Sequence, residues 1–137
     1  MSNTYTNLPT NASEAVSLLR AHADHVERLE KEQDVLALTL FRAEQNRIGH
    51  YGTIPGARCA GGFSMTLGEA EARHQQVGED LDECVDYTIG LMNACTRILA
   101  EANKHEAATF WRMTSRPGIS GPDRLRLLAE LIEFRLL

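Results

Sequence analysis

The sequence lacks the features that mark secreted and membrane proteins. It has only three cysteines, at positions 59, 84 and 95, and none of them forms a Cys-x-x-Cys pair. So few scattered cysteines do not make a disulfide framework and are typical of a reducing compartment. No apolar run approaches the ~20 residues that span a bilayer, and the polar N-terminus has no signal-peptide pattern. We therefore expect a cytoplasmic protein that does not enter a membrane.

Aromatic residues and positive charge are also scarce. Aromatic residues make up 6% of the chain, and 14 Lys and Arg stand against 19 Asp and Glu, a net charge of −5. Nucleic-acid binding usually needs a basic patch interleaved with aromatics, so we expect none here. No phosphate-binding Gly-x-x-x-x-Gly-Lys-Ser/Thr loop is present, and Cys59 with His50 has no third, orienting group. No catalytic residue is predicted, and an enzyme is the less favoured reading.

What remains is a helix-forming composition rich in Ala, Leu, Glu and Arg. Asn11 with Glu14 resembles a capping box, and no Gly or Pro occurs between Asn11 and Ile48. Apolar residues recur there at intervals of three and four. The pattern predicts a tail over residues 1–10 and a helix over about 11–50. A break near residues 30–34 is the alternative.

Glycine and proline then divide the rest of the chain. Six breakers between Gly49 and Gly62 predict a glycine-rich loop over 51–65, suited to packing or partner binding. Thr66 with Glu69 begins a second helix over about 66–113, and Pro122 begins a third over 122–136. The sequence therefore predicts one all-α domain over 11–137, a long antiparallel helical hairpin followed by a C-terminal helix.

The last helix is apolar on two faces and has to be covered on both. Leu125, Leu128, Ile132 and Leu136 form one face, and Leu127, Leu131 and Phe134 form the other. Two long helices cannot cover this helix and their own apolar stripes efficiently in one copy. We expect a homo-oligomer, most simply a dimer that completes a four-helix bundle.

A first candidate metal site lies near the loop. Antiparallel pairing of residues whose numbers sum to about 118–126 brings Glu44, Arg47 and His50 near Glu71 and His74. Glu71 and His74 have the Glu-x-x-His spacing that di-iron bundles combine with a glutamate from another helix. Glu44, Glu71 and His74 are therefore candidate ligands, with His50 and Glu79 as possible additions. The alternative is an ion pair between Glu71 and Arg47, with both histidines in water.

The segment from Ala43 to Thr53 strengthens this candidate. Its residues Glu44, Ile48, Tyr51, Gly52 and Thr53 resemble the Glu-x-x-x-Ile-x-x-Tyr-Gly-Thr helix of the stress-induced YciE/YciF-type ferritin-like family. The resemblance covers eleven of the 137 residues. It implies a four-helix bundle with a carboxylate-bridged metal site, in which Glu44 matches a ligand position.

Two further clusters carry hypotheses. His22 and His25 are spaced to chelate one ion, and the hairpin brings His105 near them, which would suit zinc; a solvated helix face is the alternative. Glu79, Asp82, Glu83 and Asp86 form an acidic stripe whose like charges repel. The stripe is either offset by arginines across the hairpin or is a docking surface for a basic protein.

These observations favour a non-catalytic, homo-oligomeric helical protein that acts by protein–protein interaction, as an adaptor, an inhibitor or a phage-type accessory protein. No cofactor is expected in that case. The alternative is a ferritin-like carboxylate and histidine metal-binding bundle that holds iron or zinc.

Overall fold

The structure is a computed structural model that describes residues 7–59 and 61–137. Its elements in chain order are α1 (Ala12–Gln45), β1 (Thr53–Arg58), β2 (Ser64–Thr66), α2 (Leu67–Ala102), α3 (Lys104–Thr114) and α4 (Gly121–Leu136). The predicted all-α class is confirmed, with one small two-stranded sheet added. None of the helices in the described ranges is both long and apolar enough to cross a membrane.

The first helix begins as its sequence predicts. The Asn11 side chain accepts a hydrogen bond from the Glu14 backbone N–H at 2.9 Å, and the Glu14 carboxylate accepts one from the Thr10 backbone N–H at 3.1 Å. These reciprocal bonds satisfy N–H groups that a helix start leaves without partners. Helix α1 then continues through residues 30–34, so the alternative of a break there is wrong.

Helix α1 ends at Gln45, five residues before the predicted end. The Ile48 N–H bonds to the Ala43 carbonyl and the Arg47 N–H bonds to the Glu44 carbonyl, which is the Schellman pattern. This turn requires a left-handed residue, and Arg47 takes that conformation with φ 53°. Glycine is the usual residue at such a position, so an arginine there gives the sequence no stop signal.

The predicted loop over 51–65 is largely a β-hairpin. Strand β1 pairs antiparallel with β2, Thr53 opposite Thr66 and Arg58 opposite Ser64, with an irregularity in between. Gly56 and Gly62 both have positive φ, of 80° and 84°. The glycines and the proline of this segment predict a loop, but in the structure they allow the irregularity and the turn of a short hairpin. Ala60 lies outside the described residues.

The second predicted helix is two helices. Thr66 and Glu69 form the predicted capping box, with the Glu69 N–H donating to Thr66 Oγ1 at 3.2 Å. Helix α2 ends at Ala102 because Asn103 is extended and its side chain accepts from the His105 and Glu106 backbone N–H groups. Asparagine favours this capping position over a helix interior. The chain therefore starts the new helix α3 there instead of continuing to 113.

The chain forms two compact units, and α1 and α2 contribute to both. Of the described residues, the four-helix unit contains 7–27 and those from Glu83 to Leu137. Its core draws on α1, α2, α3 and α4, and its most completely buried large side chains are Phe110, Leu19, Leu91, Leu99, Leu125, Leu128 and Ile132. A single copy thus closes this core with four helical segments.

Residues 7–10, which belong to the predicted tail, contact the four-helix unit. The Tyr87 hydroxyl donates to the Asn7 carbonyl at 2.7 Å, and Pro9 is buried. The rest of the predicted tail, residues 1–6, lies outside the described residues.

The two-helix unit, Arg28–Asp82, has a much thinner core. It comprises the end of α1, the hairpin and the start of α2. Ala43, Ile54 and Ala70 form one buried cluster, against which the partly buried Leu40 and Met65 pack. The other buried apolar residues among the described residues of this unit are Leu29, Leu36 and Val77. Two helices and a small hairpin offer few surfaces on which to bury apolar side chains.

The helix register differs from the predicted one in both units. In the two-helix unit Arg73 binds Glu32, and in the four-helix unit His22 bonds to Thr88. Each partner on α2 lies about two helical turns or more before the position that sums of 118–126 require. The early end of α1 at Gln45 shifts the pairing in this direction, because α2 begins near the predicted residue.

Replacing Arg47 by glycine should stabilise the protein. A non-glycine residue in the left-handed region costs about 1–2 kcal/mol, and glycine's greater entropy in the unfolded chain cancels part of the gain. We expect the free energy of unfolding to rise by up to about 1 kcal/mol in urea titrations. Ala37→Gly, at an exposed position inside the same helix, is the control and should lower it by roughly 0.5–1 kcal/mol. Equal destabilisation by both substitutions would contradict the assignment of strain to Arg47.

Candidate interaction surfaces

A groove in the two-helix unit collects part of the first predicted metal site. Glu44, Arg47 and Glu71 line it together with three apolar residues, Leu40, Ile48 and Leu67. His50 instead packs on Gly68, where a Cβ atom would lie 2.6 Å from the imidazole ring. His74 is half-buried on α2 and is not among the residues that line the groove. The structure thus brings together the two predicted carboxylates and the arginine.

No three-residue metal cluster occurs in the described part of the chain. Within residues 7–59 and 61–137, no group of three or more His, Cys, Asp or Glu side chains is placed to hold a metal ion. This finding covers both predicted sets, Glu44 with Glu71 and His74, and His22 with His25 and His105.

His22 is a core residue of the four-helix unit. It is 6% exposed, its ring meets the edge of Tyr87 at 4.8 Å between centroids, and its Nε2 lies 2.7 Å from Thr88 Oγ1. The Thr88 hydroxyl proton is already donated to the Cys84 carbonyl. The hydroxyl can therefore only accept from His22, so the His22 ring carries a proton on Nε2.

Burial keeps His22 neutral. Loss of solvent, with a smaller effect from the charge of His25, lowers the pKa of His22 from 6.5 to about 4. The His25 ring lies 6.5 Å away, and His105 is exposed in the first turn of α3, where its backbone N–H caps onto Asn103. Hydrogen bonding and packing thus account for His22.

The hairpin cysteine is held as a thiol. Cys59 Sγ donates to Glu69 Oε2 at 3.0 Å, and this hydrogen bond is the main reason why the pKa of Cys59 is raised. The same bond helps to lower the pKa of Glu69, which also accepts from Thr66. A thiol whose pKa is raised gives little thiolate, so Cys59 is poorly suited to nucleophilic chemistry.

The four residues of the predicted acidic stripe are all exposed on α2. They are Glu79, Asp82, Glu83 and Asp86. Gln75 donates to the Glu79 carboxylate at 3.2 Å, and Gln76 donates to Asp80 at 2.9 Å. These amides, one turn earlier on the helix, offset part of the repulsion without changing the stripe's negative charge.

An apolar face on α1 was missed in the sequence. Val35, Leu38 and Phe41 are 64%, 48% and 55% exposed, and we call them the Val35–Phe41 face. Leu36 and Ala43, on the other side of the same helix, are buried. The spacing of three residues between Val35, Leu38 and Phe41 is a sequence signal for this face. The apolar stripe through Leu36 and Ala43 has the same helical spacing and is longer, so the pattern alone does not separate the two faces.

A second apolar surface lies on α4. Leu127, Leu131 and Phe134 line a groove with Glu130 and Glu133, which we call the α4 groove. Arg20 Nη1 bonds to Glu133 Oε2 at 2.9 Å, and the Arg135 guanidinium lies 5.0 Å from the centre of the Phe134 ring. Phe134 is 77% exposed, whereas Leu125, Leu128 and Ile132 on the other face are fully buried. The first predicted apolar face of α4 is therefore covered, with Leu136 half-buried at its end. On the second face Leu127 and Leu131 pack partly against the same core and Phe134 is exposed.

Comparison of the chain with protein-family models, with curated proteins and with solved structures finds no match.

The buried His22 predicts a specific loss of stability in acid. In the unfolded chain His22 titrates near 6.5, whereas in the fold its pKa is about 4. The unfolded state therefore takes up the proton first, and this contribution to stability is complete above pH ~6.5 and is lost as the pH falls toward 4. We expect wild type to lose about 1–2 kcal/mol through His22 between pH 7 and pH 4.5, after allowing for solvent screening.

Urea titrations of wild type and His22→Gln at the two pH values measure this contribution. The variant should be less stable at pH 7, and the difference from wild type should shrink at pH 4.5. The exposed His105→Gln serves as the control and should keep the wild-type dependence on pH. If the difference in unfolding free energy between wild type and His22→Gln is the same at both pH values, burial does not lower the pKa of His22.

Proposed function

We propose that this is a non-catalytic, homo-oligomeric helical protein that acts by binding another protein. The α4 groove carries the proposal. Helix α4 already buries Leu125, Leu128 and Ile132 in the four-helix unit, yet Phe134 remains 77% exposed on its other face. Exposed apolar patches that polar residues surround mark interaction sites more often than chance exposure does.

The chemistry of the α4 groove defines the kind of partner. Leu127 and Leu131 form a partly buried apolar floor, and Phe134 is an aromatic anchor of the type that dominates binding energy. Arg20 neutralises Glu133, so Glu130 is the acidic group that remains at the groove. A partner segment with apolar side chains and a nearby Lys or Arg fits this arrangement.

The acidic stripe on α2 supports the same choice of partner. Four exposed carboxylates on one helix attract a basic surface and increase the rate of encounter. Self-association forms the other part of the proposal, because the two-helix unit has only a thin core and leaves the Val35–Phe41 face open. The three cysteines are thiols, in keeping with a proposed cytoplasmic location.

Partner capture with matched variants tests the role of the α4 groove. The tagged wild-type protein is compared with Phe134→Glu and with Met113→Glu, which adds the same charge at an exposed site on α3. We expect Phe134→Glu to reduce retention of a specific partner at least about tenfold, because a carboxylate cannot occupy an apolar contact. Equal retention by all three proteins would exclude the α4 groove as the binding surface.

The acidic stripe is tested by salt and by charge reversal. Binding of the captured partner should weaken with rising salt, and Asp82→Lys with Glu83→Lys should weaken it at low salt. Both residues are exposed, so the folded state should keep its stability. Binding that is insensitive to both changes would remove the stripe from the interface.

Metal binding is a second candidate function, and one observation favours it. The two predicted carboxylate ligands, Glu44 and Glu71, line the same groove. If iron or zinc binds there, the metal should raise the unfolding temperature of wild type and have no effect on Glu44→Gln with Glu71→Gln. The matched control Glu79→Gln should respond as wild type does. No thermal shift and no metal retained by wild type would exclude this function.

A further inference from the structure

We propose that two copies of the chain pair through the Val35–Phe41 face, with their α1 helices antiparallel and Leu38 at the two-fold axis. The proposal rests on the self-association proposed above and names its surface and its geometry.

The end of α1 has apolar side chains on opposite sides. At 100° per residue, Leu36 and Ala43 fall about 140–160° away from Leu38 around the helix. Those two residues are buried in the two-helix unit, whereas Val35, Leu38 and Phe41 are about half exposed or more. A helix with two apolar sides is typical of one packed between neighbours. Among the described residues of this unit, the side with Leu36 and Ala43 is covered, whereas the side with Val35, Leu38 and Phe41 is exposed.

The four-helix unit shows how the same helix is covered elsewhere in the chain. There α3 and α4 add a further layer over the start of α1 and the end of α2, and fifteen residues of these four segments form one core. The two-helix unit has its small hairpin and six buried apolar residues, Leu29, Leu36, Ala43, Ile54, Ala70 and Val77. A second two-helix unit packed on the Val35–Phe41 face would supply the missing layer and produce a bundle of four helices.

The charged residues beside the Val35–Phe41 face favour a second copy of the chain as the partner and favour an antiparallel arrangement of the two α1 helices. Antiparallel pairing about Leu38 puts residues equally distant from position 38 at the same level along the two helices. Val35 then lies level with Phe41, and Asp34 lies level with Arg42. Both charged residues are exposed and border the face. The two-fold axis repeats each opposite-charge pair, so the face is complementary to itself.

Parallel pairing gives the opposite result. It would set Asp34 beside Asp34 and Arg42 beside Arg42, so each level would join like charges. Like charges directly across a helix interface are unfavourable. The antiparallel arrangement is therefore the one that the sequence around Leu38 fits.

Sedimentation of wild type and two variants tests the surface. Wild type should be a dimer at micromolar concentration, and Leu38→Glu should raise the dissociation constant at least about a hundredfold, because it places two carboxylates at the axis. The control Ala21→Glu adds the same group at an exposed position of the same helix, about 25 Å from Leu38 along the axis, and should remain a dimer. Circular dichroism confirms that each variant is folded.

The outcomes separate this proposal from the proposed function. A dimer that Leu38→Glu leaves intact would overturn the Val35–Phe41 face but keep self-association. A monomeric wild type at tens of micromolar would overturn both. Loss of dimer in Leu38→Glu and its retention in Ala21→Glu supports the face.

A charge swap tests the direction without changing the apolar contact. Asp34→Arg alone should weaken the dimer about tenfold or more, because it faces Arg42 of the other copy at two symmetric positions. Adding Arg42→Asp should restore the wild-type dissociation constant. Failure of the double variant to recover would overturn the antiparallel register.

Cysteine crosslinking gives a second measure of the register. In a Cys59→Ser background, Leu38→Cys should form a disulfide-linked dimer on mild oxidation, since each copy meets itself at this position. Val35→Cys alone should not crosslink, whereas Val35→Cys with Phe41→Cys should. Efficient crosslinking of Val35→Cys alone would indicate a parallel pair and contradict the proposal.

Discussion

The two long helices have more apolar surface than they can bury against each other, and the architecture depends on how the remainder is covered. In the four-helix unit the chain supplies its own cover. Asn103 stops α2, α3 starts at once, and α4 places Leu125, Leu128 and Ile132 in the common core. In the two-helix unit the hairpin adds little apolar surface beyond Ile54. The Val35–Phe41 face is a part of this surface that remains exposed.

The helices could be predicted wherever the determinants are local. The capping boxes at Asn11 and at Thr66 identify two helix starts within a residue. Pro122 in the first turn and the Ser120 cap locate α4 equally well. These signals are hydrogen bonds between residues three apart, so a single sequence contains all of the information. The Asn103 cap at the start of α3 is a local signal of the same kind, so this helix start can also be predicted from the sequence.

The remaining features depend on backbone conformation or on distant contacts. Arg47 ends α1 in a conformation that glycine normally takes, and the bulged hairpin hides its strands behind Pro55 and Gly56. The helix register depends on the end of α1 and on the hairpin, so the residues of α2 that face α1 differ from the predicted ones. His22 then meets Thr88 and Tyr87. Glu44 and Glu71 still come together, as predicted, because they lie close to the turn, where a shift in register has the least effect.

Hydrogen exchange at two protein concentrations tests most directly whether a second copy covers the open side of α1. The account predicts that amides of residues 28–45 exchange more slowly at high concentration. The amides of residues 12–27 should each exchange at the same rate at both concentrations, because the four-helix unit closes its core within one chain. Concentration-independent exchange along the whole of α1, in a range where the protein is seen to associate, would contradict it.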